Sequence, residues 1–113
     1  MLAFIDLGAQ RRHLGSRIDE AVARVLAHCQ FIMGPEVAQL ERDLSQFCGA
    51  AHTLSCANGT DALGLLLMAK EVKAGDAVLC PSFTFAATAE VIAWMGATPI
   101  FVDVHADTFN VDP

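Results

Sequence analysis

Leu54-Ser-Cys-Ala-Asn-Gly-Thr-Asp-Ala-Leu-Gly-Leu-Leu-Leu-Met68 is the stretch on which the reading of the fold turns. Residues 53–56 are short and mostly apolar, which predicts a buried strand. Asn58-Gly59 is a strong hairpin signal, but a hairpin needs a second strand of alternating polarity. Ala62, Leu63, Leu65, Leu66, Leu67 and Met68 are good helix formers without alternation, so a helix is predicted over 60–71. The turn between strand and helix can serve two purposes. Asn58 or Thr60 can simply cap the helix. Gly59 can also let backbone approach a ligand closely, and the free N–H groups of a helix's first turn, at the positive end of its dipole, suit a phosphate. Both readings stand on these residues. Neither the Gly-Lys-Ser/Thr of a P-loop nor a Gly-x-Gly-x-x-Gly is present, which disfavours a nucleotide cradle of either kind.

Outward from this stretch, helical periodicity is clear on the amino-terminal side. Ile18, Val22, Val25, Leu26 and Cys29 predict an amphipathic helix over 16–29. Gly34-Pro35 breaks the pattern and opens a second helix over 35–48, with stripe residues Val37, Leu40, Leu44, Phe47 and Cys48 and with Gly49 to end it. Phe4-Ile5-Asp6-Leu7 is a brief apolar and acidic segment expected to pack on a neighbouring element or another subunit. On the carboxyl-terminal side, strands are predicted over 77–80 and 99–102 around a helix over 85–95, with Thr84 as its cap and Gly96 at its close. Val104–Pro113 reads as a polar exit. Short, uniformly apolar strands alternating with helices predict a parallel, helix-covered α/β sheet. Ligands collect beyond the carboxyl ends of such strands. Asn58–Asp61, Ser82–Phe85 and Asp103 are expected there. Phe83 and Phe85 either plug the core or offer a ring to a planar ligand. Three strands make half a doubly wound sheet, so the chain is expected to be part of a longer one.

Of the 113 residues 54% are hydrophobic, enough for a core, and the net charge is −6. Arg11, Arg12, Arg17, Arg24 and Arg42 are scattered, leaving no basic footprint for nucleic acid or an anionic membrane. No apolar run is long enough to span a bilayer and the first residues lack a leader's pattern, which predicts a cytoplasmic protein. Cys29, Cys48, Cys56 and Cys80 have no metal-site spacing and are expected to be buried free thiols. No metal is expected.

Five segments together carry a resemblance: Asp6-Leu-Gly-Ala-Gln10, Gln30-Phe-Ile-Met-Gly-Pro-Glu-Val37, Ser55-Cys-Ala-Asn-Gly-Thr-Asp-Ala-Leu63, Pro81-Ser-Phe-Thr-Phe-Ala-Ala-Thr-Ala-Glu90 and Gly96-Ala-Thr-Pro-Ile-Phe-Val-Asp103. In order and spacing they resemble the N-terminal part of the DegT-type sugar-nucleotide aminotransferases, fold-type I enzymes that use pyridoxal 5′-phosphate. The look is that of members that aminate a 3-keto UDP-2-acetamido-hexuronic acid. The resemblance implies that the amides of Gly59, Thr60 and Asp61 and the Thr60 hydroxyl hold the cofactor phosphate, that Phe85 stacks on the pyridine ring, and that Asp6, Phe31 and Gly34 lie in segments that approach the substrate. It also implies glutamate as amino donor and a homodimer. The family's Schiff-base lysine and the aspartate that pairs with the ring nitrogen come after the part seen here, and Lys70 and Lys73 sit in a polar connector. No catalytic residue is therefore expected in this chain, which by itself would be inactive. The competing expectation is a non-catalytic phosphate-binding or interaction module complete at 113 residues.

Overall fold

A computed structural model describes residues 4–112, which fall into two compact units meeting in sequence between Ser55 and Cys56. The first unit is helical: α1 (Leu7–Leu14), α2 (Arg17–His28) and α3 (Pro35–Cys48), followed by an extended segment. α1 is an addition to what the sequence predicts. Its start is set by Asp6, whose Oδ1 accepts a hydrogen bond from the Ala9 N–H at 2.8 Å, satisfying one of the donors that every helix leaves open at its first turn. α2 and α3 lie within one or two residues of their predicted limits. α3 begins with Pro35, whose missing N–H costs nothing at the first helical position, and ends at Gly49 in the left-handed region, with φ 67°.

The predicted strand over 53–56 is corrected by the structure, which gives these residues no ladder. Polar groups on an extended backbone still need partners, and α3 supplies them. Glu41 Oε1 accepts from the Ser55 N–H at 2.9 Å and from the Ser55 hydroxyl at 2.7 Å. One turn later, Ser45 Oγ donates to Thr53 Oγ1 at 2.7 Å. Four helical residues advance about 6 Å and two extended residues about 6.6 Å. The two bonds therefore close together, with the segment running antiparallel to α3.

The second unit holds α4 (Gly59–Ala69), β1 (Ala77–Pro81), α5 (Ala87–Trp94) and β2 (Thr98–Val102). β1 and β2 pair in parallel, from Ala77 opposite Thr98 to Pro81 opposite Val102, and α5 is the crossover between them. Its buried residues are Ala87, Val91 and Ile92, and Ile92 packs with Cys80 of β1 and Ala97 at the entry to β2, with Leu67 of α4 and Val72 around them. This is the α/β arrangement expected, with two strands in the ladder among the described residues. Thr84 does not cap α5. Its hydroxyl is 2.9 Å from that of Thr88, and Ala86 occupies the cap position without a side-chain bond. Nor is the stretch after β2 a simple exit, because Val104 and Val111 form an antiparallel bridge, closed by the His105 N–H donating to the Asn110 carbonyl at 2.9 Å.

The expectation of buried thiols holds for Cys80 alone; Cys29, Cys48 and Cys56 are exposed. Cys29 and Cys48 end helices none of whose residues is buried, so the positions that would shield them stand open. No helix among the described residues is long and apolar enough to cross a membrane.

Glu41 provides a test of the α3 contact. The Ser55 N–H, and after it the Ser55 hydroxyl, hold its carboxyl below the ordinary glutamate range. Its contribution to stability is complete above the value of an unfolded glutamate and is lost as pH falls through the lowered folded value. Carboxyl-detected NMR titration should show a midpoint below the ordinary glutamate value. Ser55→Ala should return that midpoint only part of the way, because the backbone donor remains. Full recovery would mean that the N–H contact is not made.

Candidate functional site

The amino end of α4 is built by one side chain. Asn58, with extended backbone, accepts through Oδ1 from the Asp61 N–H at 2.9 Å and donates through Nδ2 to Asp61 Oδ2 at 3.1 Å. The Asn58 carbonyl accepts from the Ala62 N–H at 3.1 Å. The two readings of the turn are therefore compatible, since Asn58 caps the helix and still leaves its first two amides open. Gly59 N–H and Thr60 N–H have no partner among the described residues, and neither does the Thr60 hydroxyl. A Cβ on Gly59 would meet nothing within 4 Å, so its peptide is open to approach. The Asp61 N–H, the third amide expected to hold the phosphate, is here taken up by the Asn58 cap. The Asp61 carboxylate lies on the Asn58 amide.

α4 packs on α5, and its Leu63, Leu66 and Leu67 share an apolar cavity with Val78, Leu79 and Pro81 of β1. A short connector, residues 70–76, joins the carboxyl end of α4 to the start of β1, whose carboxyl end is where a ligand of a parallel sheet is expected. At that same end the Ser82 N–H donates to the Val102 carbonyl at 2.9 Å, and the loop carrying Phe83 and Phe85 leaves the ladder. Neither phenylalanine plugs the core. Phe83 packs on Phe109, ring centroids 5.2 Å apart. Phe85 is 79% exposed, which leaves its ring free. Asp103 also emerges here, but its Oδ1 accepts from the Val104 N–H at 2.8 Å and its carbonyl from the Asp112 N–H at 3.0 Å. It serves the bridge that follows β2.

The remaining residues singled out by sequence lie in the first unit. Asp6 is engaged as the α1 cap, with Arg12 3.6 Å away. Phe31 and Gly34 belong to the loop between α2 and α3, where Phe31 is exposed and Gly34 is buried. A Cβ on Gly34 would stand 2.4 Å from the Gln30 carbonyl oxygen, so only glycine fits. His28, which the sequence reading passed over, bridges this loop. Its Nδ1 accepts from the Gln30 N–H at 3.1 Å and its Nε2 meets Glu36 Oε1 at 3.0 Å. The His28 contact, more than any other, holds the Glu36 carboxyl below the ordinary glutamate range. A histidine eight residues before a glutamate, across a glycine-proline break, is too common a pattern to stand out in sequence.

A family model described as the DegT/DnrJ/EryC1/StrS aminotransferase family matches residues 12–113. A Pseudomonas aeruginosa protein, UDP-2-acetamido-2-deoxy-3-oxo-D-glucuronate aminotransferase, is 50% identical over all of this chain, which covers 32% of that protein. The crystal structure of a DegT DnrJ EryC1 StrS aminotransferase from Brucella abortus superposes with a TM-score of 0.94 at 50% identity, over 99% of this chain and 30% of the other. The PLP form of a putative sugar aminotransferase from Streptococcus pneumoniae superposes at 0.73 with 37% identity, over 80% of this chain and 24% of the other. The chain thus spans about a third of the length of the curated relative described.

Removing the Asn58 side chain should destabilise α4 by about 0.5–2 kcal/mol and release the Asp61 N–H. Asn58→Ala is expected to speed amide exchange at Asp61 while leaving Gly59 and Thr60 as fast as before. Unchanged protection at Asp61 would contradict the cap.

Proposed function

The chain belongs to the DegT/DnrJ/EryC1/StrS aminotransferase family, and on that premise we propose that the polypeptide carrying it is a pyridoxal 5′-phosphate enzyme that moves an amino group from glutamate to a keto group of a nucleotide-linked sugar. A 3-keto UDP-2-acetamido-hexuronic acid is the substrate proposed, because the Pseudomonas aeruginosa relative bears that activity in its name. The proposed enzyme is cytoplasmic and homodimeric and serves polysaccharide or amino-sugar synthesis. Large apolar side chains left exposed on every helix of the first unit, Leu7, Val22, Leu26 and Phe47 among them, support a finished fold in which more polypeptide covers these faces.

The observation that carries the reading is the start of α4. Two outward amides and a hydroxyl sit at the positive end of an 11-residue helix, beside a glycine that leaves the approach open. These residues fit a phosphate monoester. In the proposed site Gly59 N–H, Thr60 N–H and the Thr60 hydroxyl bind the phosphate, and Asn58 fixes their direction by holding Asp61. With its amide bound by the cap, Asp61 acts through Asn58, whose side-chain amide holds its carboxylate in one place. Phe85 places an apolar face against the ring, keeping it oriented and excluding water from one side. When bound, the cofactor supplies the electron sink that amino transfer needs. The residues of this chain bind and orient it; the proton-carrying lysine and the aspartate at the ring nitrogen are supplied by sequence outside these 113 residues.

The reading is tested by assaying the intact polypeptide, loaded with pyridoxal 5′-phosphate, with glutamate and the UDP-linked 3-keto sugar. One 2-oxoglutarate should form per amino sugar. Thr60→Ala should weaken cofactor binding by about 1.5–3 kcal/mol, the range for a hydrogen bond to a charged group, and Phe85→Ala by about 0.5–1.5 kcal/mol. Phosphate binding with no amino transfer to any nucleotide-linked sugar would favour the non-catalytic module instead.

A further inference from the structure

The aromatic contact between Phe83 and Phe109 joins two segments of the second unit that nothing in the core requires to meet. Both rings are exposed, so the pair adds little to the buried interior. Its centroids are 5.2 Å apart and its planes are inclined at 35°, inside the range of about 4.5–7 Å in which aromatic pairs attract.

Phe109 stands on an anchored backbone. The Val104–Val111 bridge ties the two ends of the loop that follows β2. Across it the His105 N–H donates to the Asn110 carbonyl at 2.9 Å, the Phe109 N–H to the His105 carbonyl at 2.9 Å and the Asp112 N–H to the Asp103 carbonyl at 3.0 Å. The φ of Phe109 is 56°, in the left-handed region that glycine and asparagine enter easily and a bulky side chain enters at a cost. A large ring is thus kept where the backbone alone would favour a small or polar residue.

Phe83 belongs to the loop that carries Phe85, and that loop is pinned at both ends. The Ser82 N–H donates to the Val102 carbonyl at 2.9 Å. At the other end the Phe85 carbonyl accepts from the Thr88 N–H at 3.1 Å, and the Thr84 hydroxyl lies 2.9 Å from that of Thr88. Phe109 meets the loop between these anchors. The Phe85 ring, 79% exposed, takes its direction from the backbone of this loop rather than from burial.

We propose that Phe109 is a positioning residue, which through Phe83 holds the Ser82–Phe85 loop so that Phe85 meets the cofactor ring. This rests on the pyridoxal 5′-phosphate reading above. It divides the site in two. The amides and hydroxyl at the start of α4 take the phosphate without Phe109, whereas the ring contact depends on it.

The test uses the intact polypeptide freed of cofactor and titrated with pyridoxal 5′-phosphate, with inorganic phosphate as a competitor that reads the phosphate site alone. Phe109→Asn removes the ring and suits a left-handed backbone. Phe83→Ala removes the other ring and leaves the bridged loop untouched. Each is expected to raise the Kd for pyridoxal 5′-phosphate about threefold, within the range of an aromatic pair. Competition by inorganic phosphate should be unchanged, and Phe109→Tyr should bind like the wild type. Added to Phe85→Ala, Phe109→Asn should cost nothing more, because a residue that acts through another has no effect once the other is gone. An unchanged Kd in both variants, equal weakening of cofactor and phosphate, or additive losses in the double variant would overturn the proposal and leave the cofactor reading in place. Should Phe85→Ala bind the cofactor as tightly as the wild type, the stacking role and this one fail together. Should the wild type bind none, the cofactor reading itself fails.

Discussion

Everything proposed for the second unit depends on which backbone donors the start of α4 keeps for itself. Asn58 takes the Asp61 N–H and holds the Asp61 carboxylate with its own amide group. A helix without such a cap presents a full turn of open donors that water satisfies in many ways. With it, the open set is reduced to Gly59 and Thr60, and their direction is fixed by a side chain bonded to the helix. The cap also fixes the position of the Asp61 carboxylate, which accepts from the Asn58 side-chain amide. The same few residues thus set helix geometry, donor supply and local charge.

The rest of the second unit gives that turn its place. The short link from α4 to β1, and the α5 crossover from β1 to β2, tie α4 to the ladder. Burial of Cys80, Val91, Ile92 and Ala97 fixes the crossover against the strands. The first unit is organised by polar contacts rather than by a buried core. Glu41 and Ser45 grip Ser55 and Thr53, and His28 links Gln30 to Glu36.

Much of this could be read from residue pattern. α2 and α3 have strong apolar periodicity, a proline start and a glycine stop, and their limits follow from those signals. α4 follows from the run after Asn58-Gly59, and β1 and β2 from short apolar blocks. α1 escaped because Gly8 lowers helix propensity and Phe4-Ile5 reads as extended, although Asp6 is a good cap residue in hindsight. The 53–56 strand failed for a different reason. A strand is a relation between two segments, and apolar content shows the wish to be buried but not the partner. Thr84 was mistaken for a cap because sequence cannot show that its hydroxyl faces Thr88. The open start of α4 and the exposed Phe85 ring were legible as a candidate region, through Gly59, Thr60 and Phe85. The division of labour among amides was not, since it depends on the Asn58 rotamer.

The most direct measurement is a crystal structure of the intact polypeptide with pyridoxal 5′-phosphate bound. The expected result has phosphate oxygens within hydrogen-bond distance of Gly59 N, Thr60 N and Thr60 Oγ1, with the Asp61 N–H still on Asn58. A phosphate bound through the Asp61 amide with the Asn58 cap broken, or seated away from α4, would contradict it.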